Sequence, residues 1–364
     1  MISPLHTMLA AGGGFLEGYR APLLTLVIAL FVSWLSTPFV RKVAIQRGVM
    51  DDPTQDDRRI HTAPVPRWGG LAIFGAIVVA LAVVLPLAYP HNPYPSYLLG
   101  MAGLGALIVV MGALDDLYQF PASVQALFLL AIGLAVQFLN GGAGRVQIAG
   151  IETPLLAGGG TWVDFGWLAF PITAIYIFVI TKTMDTIDGM DGLAAGIAAI
   201  AGATLSVMAT QKVFQVLALN PESATIGSVV GEQPRVALIA AAIAGASLGF
   251  LKHNYNPAKI FMGTGGAQLL GFLLACISIV GAWKTAAAVA LFVPIFVFGV
   301  PIIDAVIVVI RRILNKSPIT QADKRHLHHS LLEKGLSQRQ AVWVLYLAAL
   351  TLSGAILVVV KLYG

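Results

Sequence analysis

An all-α polytopic membrane protein of about ten transmembrane helices is the fold class this chain predicts, and three observations predict it. Hydrophobic residues make up 58% of the 364 residues and charged ones only 11%, against roughly 25% charged in soluble domains. Apolar runs close to the ~20 residues that a bilayer demands of a helix recur along the whole chain. The 38 glycines and many alanines suit close helix approach, because small residues at contact faces replace the hydrophobic effect as the source of packing inside lipid. The composition excludes an ordinary soluble domain, and the length suits one compact bundle, a single domain over 1–364.

Taken in order, the spans are expected near 22–40, 69–89, 97–114, 122–139, 166–184, 193–209, 235–251, 266–282, 285–310 and 341–360. No basic region precedes the first apolar run, and Arg20 opens a span of full membrane length, so a retained helix and no cleaved leader is expected there. Hydrophilic connections fall at 41–68, 115–121, 185–192, 252–265 and 311–340. The connection 140–165 alternates between glycine clusters, which predicts a short hairpin or loop. The single cysteine, Cys276, lies in an apolar run, excludes an intrachain disulfide and is expected to pack in the core.

Basic residues orient the bundle. Sixteen of the 22 Lys and Arg residues, from Arg41 to Arg339, sit in one alternate set of connections. The other six (Arg20, Arg145, Lys212, Arg235, Lys284 and Lys361) sit in the opposite set. The positive-inside rule makes the rich set cytoplasmic, which turns both termini outward. Every polar cluster with chemical character falls on that same cytoplasmic side.

The first cluster is Thr181-Lys-Thr-Met-Asp-Thr-Ile-Asp-Gly-Met-Asp-Gly192, which places Asp185, Asp188 and Asp191 at three-residue spacing between two apolar runs. An aspartate at mid-membrane costs about 2.5 kcal/mol or more, so acids near membrane depth face a cavity or pair with a cation. On a helix these three side chains would lie roughly on one face; a polar hairpin at the bilayer surface is the plainer alternative. Asp115 and Asp116 end the third span, and at a frayed helix end both can turn toward one magnesium ion. A simple helix-end pair explains them as well.

Asn254-Tyr-Asn-Pro-Ala-Lys-Ile-Phe-Met-Gly-Thr-Gly-Gly-Ala267 is turn-rich and leads into the eighth span, offering helix N-terminal amides to an anion. Phe261 there either stacks on a base or anchors the loop in lipid. His326, His328 and His329, preceded by Asp323, Lys324 and Arg325, read as a phosphate-receptive patch rather than a zinc site, with a basic loop on anionic lipid as the alternative. The stiff loop around Pro64 and Pro66 brings Arg58, Arg59 and His61, which suit a diphosphate. Asp304, one to two turns before Arg311 and Arg312, reads as structural. Together these clusters point to phosphoryl transfer between a cytosolic nucleotide substrate and a lipid-embedded one. Magnesium would offset charge building in the transition state.

The strings Asp51-Asp-Pro…Arg58-Arg-Ile-His-Thr-Ala-Pro-Val-Pro-Arg-Trp-Gly-Gly, Leu114-Asp-Asp-Leu, Asp185-Thr-Ile-Asp-Gly-Met-Asp-Gly-Leu-Ala-Ala-Gly, Asn256-Pro-Ala-Lys-Ile-Phe-Met-Gly and Asp323-Lys-Arg-His-Leu-His-His, in that order, resemble the polyprenyl-phosphate N-acetylhexosamine-1-phosphate transferases. The resemblance covers about residues 50 to 345. It implies transfer of a sugar-1-phosphate from a UDP-N-acetylhexosamine to undecaprenyl phosphate, with UMP released and Mg2+ required (Mn2+ as an alternative). It further implies a multi-pass protein of the inner (plasma) membrane, in contact with membrane lipids, with no nucleic-acid partner and with a homodimer left open. His-Leu-His-His followed by Gly335-Leu-Ser-Gln-Arg-Gln is similar to the UDP-GlcNAc-using branch that starts teichoic acid, O-antigen or common-antigen lipids; the muramoyl-pentapeptide branch is the alternative.

By resemblance Asp115 and Asp116 serve the lipid phosphate and catalysis, with Asp116 also at the metal. Asp188 and Phe261 serve the uridine, Asp191 the nucleotide pocket and Asp185 a metal-site position. The three histidines serve the diphosphate or sugar, and Arg58, His61, Asn256, Lys259, Lys324 and Arg325 bind substrate. The chain departs from the family pattern at four places. Thr264 stands where the family has a metal-binding aspartate, Lys182 and Asp185 where it has asparagines, and Gln125 where a basic residue is common. An introduced inactivating change, a natural variant whose other acids hold the metal, and a pseudoenzyme each account for Thr264. Outside the enzyme class, a transporter using the acids for ion coupling would string them along the depth of several spans; here nearly all fall at one face.

Overall fold

The computed structural model describes residues 18–53, 63–139, 146–153, 161–219, 232–281, 331–332 and 334–363. Among the described residues nine α-helices carry the fold: α1 (Arg20–Gln46), α2 (Gly69–Ala88), α3 (Ser96–Tyr118), α4 (Ala122–Ala135), α5 (Ala169–Ile187), α6 (Leu193–Leu219), α7 (Gln233–Asn254), α8 (Gly263–Val280) and α9 (Gln338–Tyr363). Eight stretches of the described residues are long and apolar enough to cross a membrane. The fourth expected span is shorter, with α4 giving way to a 3-10 turn at Val136–Phe138. The expected span at 285–310 lies outside the described residues, as does Asp304.

Helices α6, α7 and α8 form the centre. Their faces are Ala- and Gly-rich and almost wholly buried, whereas α1 and α9 present most of their surface outward. Helix α7 runs against both α1 and α6, and α8 packs against α2, α3, α5 and α6. The α1–α7 crossing uses Gly245 and Gly249, where a Cβ would stand 2.1 Å from the Leu26 carbonyl and 2.2 Å from that of Leu30. Small residues four apart let two backbones meet in a medium that offers no hydrophobic drive between helices. Cys276 is fully buried in α8, as its apolar setting predicts.

The hairpin expected within 140–165 is present: β3 (Gly150–Thr153) pairs antiparallel with β4 (Thr161–Asp164), Gly150 opposite Asp164. A second, two-residue ladder was not expected. It joins β1 (Met50–Asp51) to β2 (Val65–Pro66), with Asp51 opposite Val65. Short as it is, this ladder sets where Asp51 and the residues after Pro66 stand.

The helix ends sort into two groups. At one end, the C-termini of α1, α3, α5 and α7 meet the N-termini of α2, α4, α6, α8 and α9. The contacts there include Arg41 Nε to the Lys259 carbonyl (2.9 Å), His253 Nε2 with the Trp34 carbonyl (3.0 Å) and the Tyr346 hydroxyl to the Gly192 carbonyl (2.6 Å). At the opposite end, the Tyr97 hydroxyl donates to Glu232 (2.6 Å), while Arg235 pairs with Glu232 and lies over the Tyr89 ring. All the expected acidic clusters that fall among the described residues belong to the first end.

At that end α3 and α8 cross backbone to backbone. A Cβ on Gly112 would stand 2.2 Å from Gly265, and one on Gly70 would stand 2.5 Å from Gly266. A Gly112→Val variant has nowhere to put its side chain without parting the helices, an overpacking that costs about 3 kcal/mol. We expect its melting temperature in detergent to fall clearly below that of the parent; an unchanged melt would mean that α3 and α8 do not meet at this point.

Candidate functional site

The site is assembled from helix ends, starting with the chain entering α2. Trp68 has φ +79°, a left-handed conformation rare for so bulky a residue, and turns the chain from β2 into the helix. Strain of this kind, about 1–3 kcal/mol, persists only where surroundings over-determine it. The surroundings here are specific. Phe261 N–H donates to the Pro66 carbonyl (2.8 Å), Gly69 and Gly70 N–H donate to the carbonyls of Phe261 and Met262 (3.0 and 2.8 Å), and Trp68 Nε1 donates to the Ala113 carbonyl (3.1 Å). The strand-like segment 65–70, the loop before α8 and the end of α3 are thereby one unit.

That unit aims Arg67 between two carboxylates. Its guanidinium donates to Asp51 (2.7 Å) and to Asp116 (3.4 Å), whose side chain is only 2% exposed. On the other side Asp116 accepts from Thr264, through the backbone N–H and the hydroxyl, both at 3.3 Å. Gly263 precedes with φ +73°, and a Cβ there would lie 2.2 Å from Asp116 Oδ2, so only glycine lets the carboxylate reach the start of α8. The α8 amide that the loop was expected to offer a foreign anion is occupied by the protein's own Asp116.

Asp115 faces away from its neighbour. Its carbonyl accepts from Gln119 N–H, and its carboxylate accepts from Phe120 N–H (2.9 Å) and from Gln125 Nε2 (2.9 Å), which closes the turn from α3 to α4. The expectation that both members of the pair turn to one cation therefore meets a divergent geometry. Gln125 presents its carbonyl to Lys182 Nζ (3.0 Å), and Lys182 pairs with Asp185 (2.5 Å), which also accepts from Gln268 Nε2 of α8 (3.4 Å). Asp115, Gln125, Lys182, Asp185 and Gln268 are one continuous chain of hydrogen bonds across four helices.

The acid triplet is not a helical stripe. Helix α5 ends at Ile187, so Asp185 lies in its last turn, Asp188 at its C-cap and Asp191 in the turn to α6, which Gly192 makes with φ +82°. Asp191 is buried and accepts from Asn256 Nδ2 and Ala258 N–H, both at 2.9 Å. Asn256 also donates to Gln338 (2.7 Å), and the Arg339 guanidinium bonds its carbonyl, so α9 is fastened to the same loop. Asp188 is partly open to solvent; its backbone N–H donates to the Asp185 carbonyl (3.4 Å), and its carboxylate has no hydrogen-bond partner among the described residues. Burial first, then the charges of Asp185, Asp116 and Asp191 push its carboxyl well above the usual carboxylate range, with Arg67 opposing.

The structure therefore gathers Asp115, Asp116, Asp185, Asp188, Asp191, Asn256 and Thr264, with Phe261 contributing backbone bonds to Pro66 and Gly69, and with Lys259 exposed at the rim. Arg58, His61, Lys324, Arg325, His326, His328 and His329 lie outside the described residues. Arg67, Trp68 and Gln268 were missed as site residues. The two-residue ladder that positions Arg67 is too short to leave a periodic signal.

A metal would meet hard oxygen donors here: the carboxylates of Asp116 and Asp188 and the Thr264 hydroxyl. Among the described residues no three His, Cys, Asp or Glu side chains are grouped to hold an ion by themselves. The set fits magnesium as that ion is usually bound, by one or two carboxylates with substrate phosphates and waters completing the octahedron. It does not fit a protein-built cage.

Membrane-length helices, with carboxylates and fixed cations gathered as a candidate site at one end of the bundle, define the class: a polytopic membrane enzyme. A family model described as Glycosyl transferase family 4 matches residues 98–282, half of the chain, and the chain belongs to that family. Among its relatives, the probable undecaprenyl-phosphate N-acetylglucosaminyl 1-phosphate transferase of Bacillus subtilis is 35% identical over 329 residues, covering 89% of this chain and 82% of the relative. The decaprenyl-phosphate N-acetylglucosaminephosphotransferase of Mycolicibacterium smegmatis is 32% identical, covering 88% and 77%. The undecaprenyl-phosphate alpha-N-acetylglucosaminyl 1-phosphate transferase of Escherichia coli K12 is 24% identical, covering 86% and 77%.

Removing Arg67 takes its guanidinium away from the buried carboxylates of Asp51 and Asp116, a change that costs about 3 kcal/mol when a partner is stripped from a buried pair. Arg67→Met should therefore lower the melting temperature of the purified protein, with Arg67→Lys recovering part of the loss because it keeps the charge but not the fork. Equal melts for all three proteins would show that Arg67 does not hold Asp51 and Asp116 together.

Proposed function

We propose that this chain transfers N-acetylglucosamine-1-phosphate from UDP-N-acetylglucosamine to a polyprenyl phosphate, undecaprenyl phosphate first among them, with release of UMP. The observation that carries the reading is the bonding of Asp116 to both Thr264 and the Arg67 cation, with the Asp188 carboxylate in electrostatic reach, in a chain whose relatives are named for this transfer on undecaprenyl and decaprenyl phosphate. In the reaction an oxygen of the acceptor phosphate forms a bond to the sugar-bearing phosphorus. The anhydride bond to the uridylate breaks, and UMP leaves with the bonding electrons.

Both reactants are anions, so the first requirement is positive charge near the carboxylates. Magnesium, held by Asp116 and Asp188 with the Thr264 hydroxyl as a neutral donor, would supply a Lewis acid for the phosphoryl oxygens. The chain's own residues position the rest. Arg67 and Thr264 hold Asp116 in one place, Gly263 admits it to the α8 end, and Asp191 holds the 254–260 loop over the α5–α6 turn. The distribution of basic residues supports a cytoplasmic orientation of this end, which in the inner (plasma) membrane would give it access to a nucleotide donor. The product would open a cell-envelope polysaccharide pathway.

The test is UMP and lipid-linked sugar formation from UDP-N-acetylglucosamine, undecaprenyl phosphate and Mg2+, on the parent chain, Asp116→Asn and Thr264→Asp in parallel. We expect the parent to be active, Asp116→Asn to lose at least about 100-fold in kcat, as loss of a transition-state contact does, and Thr264→Asp to match or exceed the parent. No UMP from the parent would overturn the reading for this chain. Activity in Thr264→Asp alone would mean that the hydroxyl at 264 disables the site.

A further inference from the structure

We propose that Lys182 binds the phosphate of the lipid acceptor, at the inner end of a crevice between α3 and the α4–α5 pair; this rests on the transferase reading above and names the acceptor's place in that site. Helices α3 and α5 both pack along α8, and α4 lies against α5, meeting α3 at their shared turn and again at the far end, where the 3-10 turn and Leu139 reach Gly100. The outer lip is apolar and open: Leu117, Tyr118 and Leu127 are 44%, 69% and 71% exposed, and Tyr118 and Phe120 pack as a tilted pair. At the inner end stand Asp115, Gln125, Lys182, Asp185 and Gln268, the hydrogen-bonded chain already described. An isoprenoid tail can stay against the apolar lip while its phosphate reaches the polar end.

Lys182 is the group in that chain suited to an anion. An ammonium has three N–H donors. Among the described residues two are used, on Asp185 and Gln125, and the side chain is 38% exposed, so one donor is left for a ligand. Gln125 is oriented by bonds to Asp115 and the Phe120 carbonyl, so its carbonyl fixes where the ammonium stands. The other cation of the cluster, Arg67, has Asp51 and Asp116 as partners on the far side of α3's end. Lys182 stands against α4 through Gln125, and a charge-assisted bond to phosphate is stronger than the Gln125 contact it keeps in the unliganded protein.

Two sources of phosphate exist, the lipid and the nucleotide diphosphate, and the measurement separates them. Lys182→Gln and Lys182→Arg are compared with the parent in two assays. One is the KM for undecaprenyl phosphate and for UDP-N-acetylglucosamine; the other is the thermal shift given by undecaprenyl phosphate alone and by UDP alone, which needs no turnover. We expect Lys182→Gln to raise the KM for undecaprenyl phosphate about tenfold with kcat changed by less than about threefold, and to lose the undecaprenyl-phosphate shift while keeping the UDP shift. Lys182→Arg should restore most of both. A loss confined to the UDP arm, or unchanged KM and shifts in Lys182→Gln, would overturn the proposal, as would a lower melting temperature with no ligand-specific effect. A parent that makes no UMP but loses its undecaprenyl-phosphate shift on Lys182→Gln would sink the transferase reading and leave the lipid-phosphate site standing.

Discussion

Carboxylates inside an apolar bundle need something to neutralise or solvate them, and the bond of Arg67 to Asp51 and Asp116 is where this structure meets that need. An unpaired carboxylate at low dielectric costs several kcal/mol, and removal of one partner of such a pair leaves that cost exposed. The guanidinium does more than balance charge. To place it, the chain needs the β1–β2 ladder, the left-handed turn at Trp68 and the backbone bonds from 66, 69 and 70 to 261 and 262. Those bonds in turn set the loop before α8, and so the position of Thr264. Pulling on any one of these parts moves the others.

The same end of the bundle gives each acid a different environment, and the differences divide their work. Asp115 has a helix-end amide and Gln125, and serves as the cap of α3 as much as a site group. Asp191 holds Asn256 and Ala258, and fixes the loop to which α9 is fastened by Gln338 and Arg339. Asp185 is neutralised by Lys182. That leaves Asp116, constrained on two sides, and Asp188, its carboxylate without a partner among the described residues and pushed toward protonation by burial and by its neighbours. These two are the carboxylates that the surrounding bonds leave for a cation.

The helices were legible because each carries its signal locally: apolar length for α1 to α3 and α5 to α9, glycine clusters around an alternating run for β3 and β4. The run 122–139 reads as a full span because it is apolar apart from Ser123, Gln125 and Gln137, and composition does not mark where the α-helix tightens into a 3-10 turn. The acidic clusters were legible too, since Asp115, Asp116, Asp185, Asp188 and Asp191 are anomalies in greasy sequence. Their division of labour was not. Whether an aspartate caps a helix, holds a loop or stands unpartnered depends on partners 50 to 150 residues away, such as Thr264 for Asp116 and Asn256 for Asp191, and spacing along one helix cannot show them. Arg67 escaped notice for the same reason: among many basic residues of a polar connection, only tertiary pairing sets it apart.

The four departures from the family pattern take on a common meaning once their contacts are known. Where the resemblance leads one to expect a basic residue at 125, asparagines at 182 and 185 and an aspartate at 264, this chain has Gln125, Lys182, Asp185 and Thr264, and the formal charge over the four positions is zero in both sets. The cation has moved from α4 to α5, and Gln125 now bridges it to Asp115. The anion has moved from α8 to α5, where it meets Gln268, one turn after Thr264 on the same face of α8. Thr264 donates to Asp116 directly, a contact that an aspartate at this position would make only through a cation between the two carboxylates. Changes that preserve total charge and link three of the four positions by hydrogen bonds are what a site rebuilt as a whole would show. A single disabling substitution at 264 would leave 125, 182 and 185 unaltered.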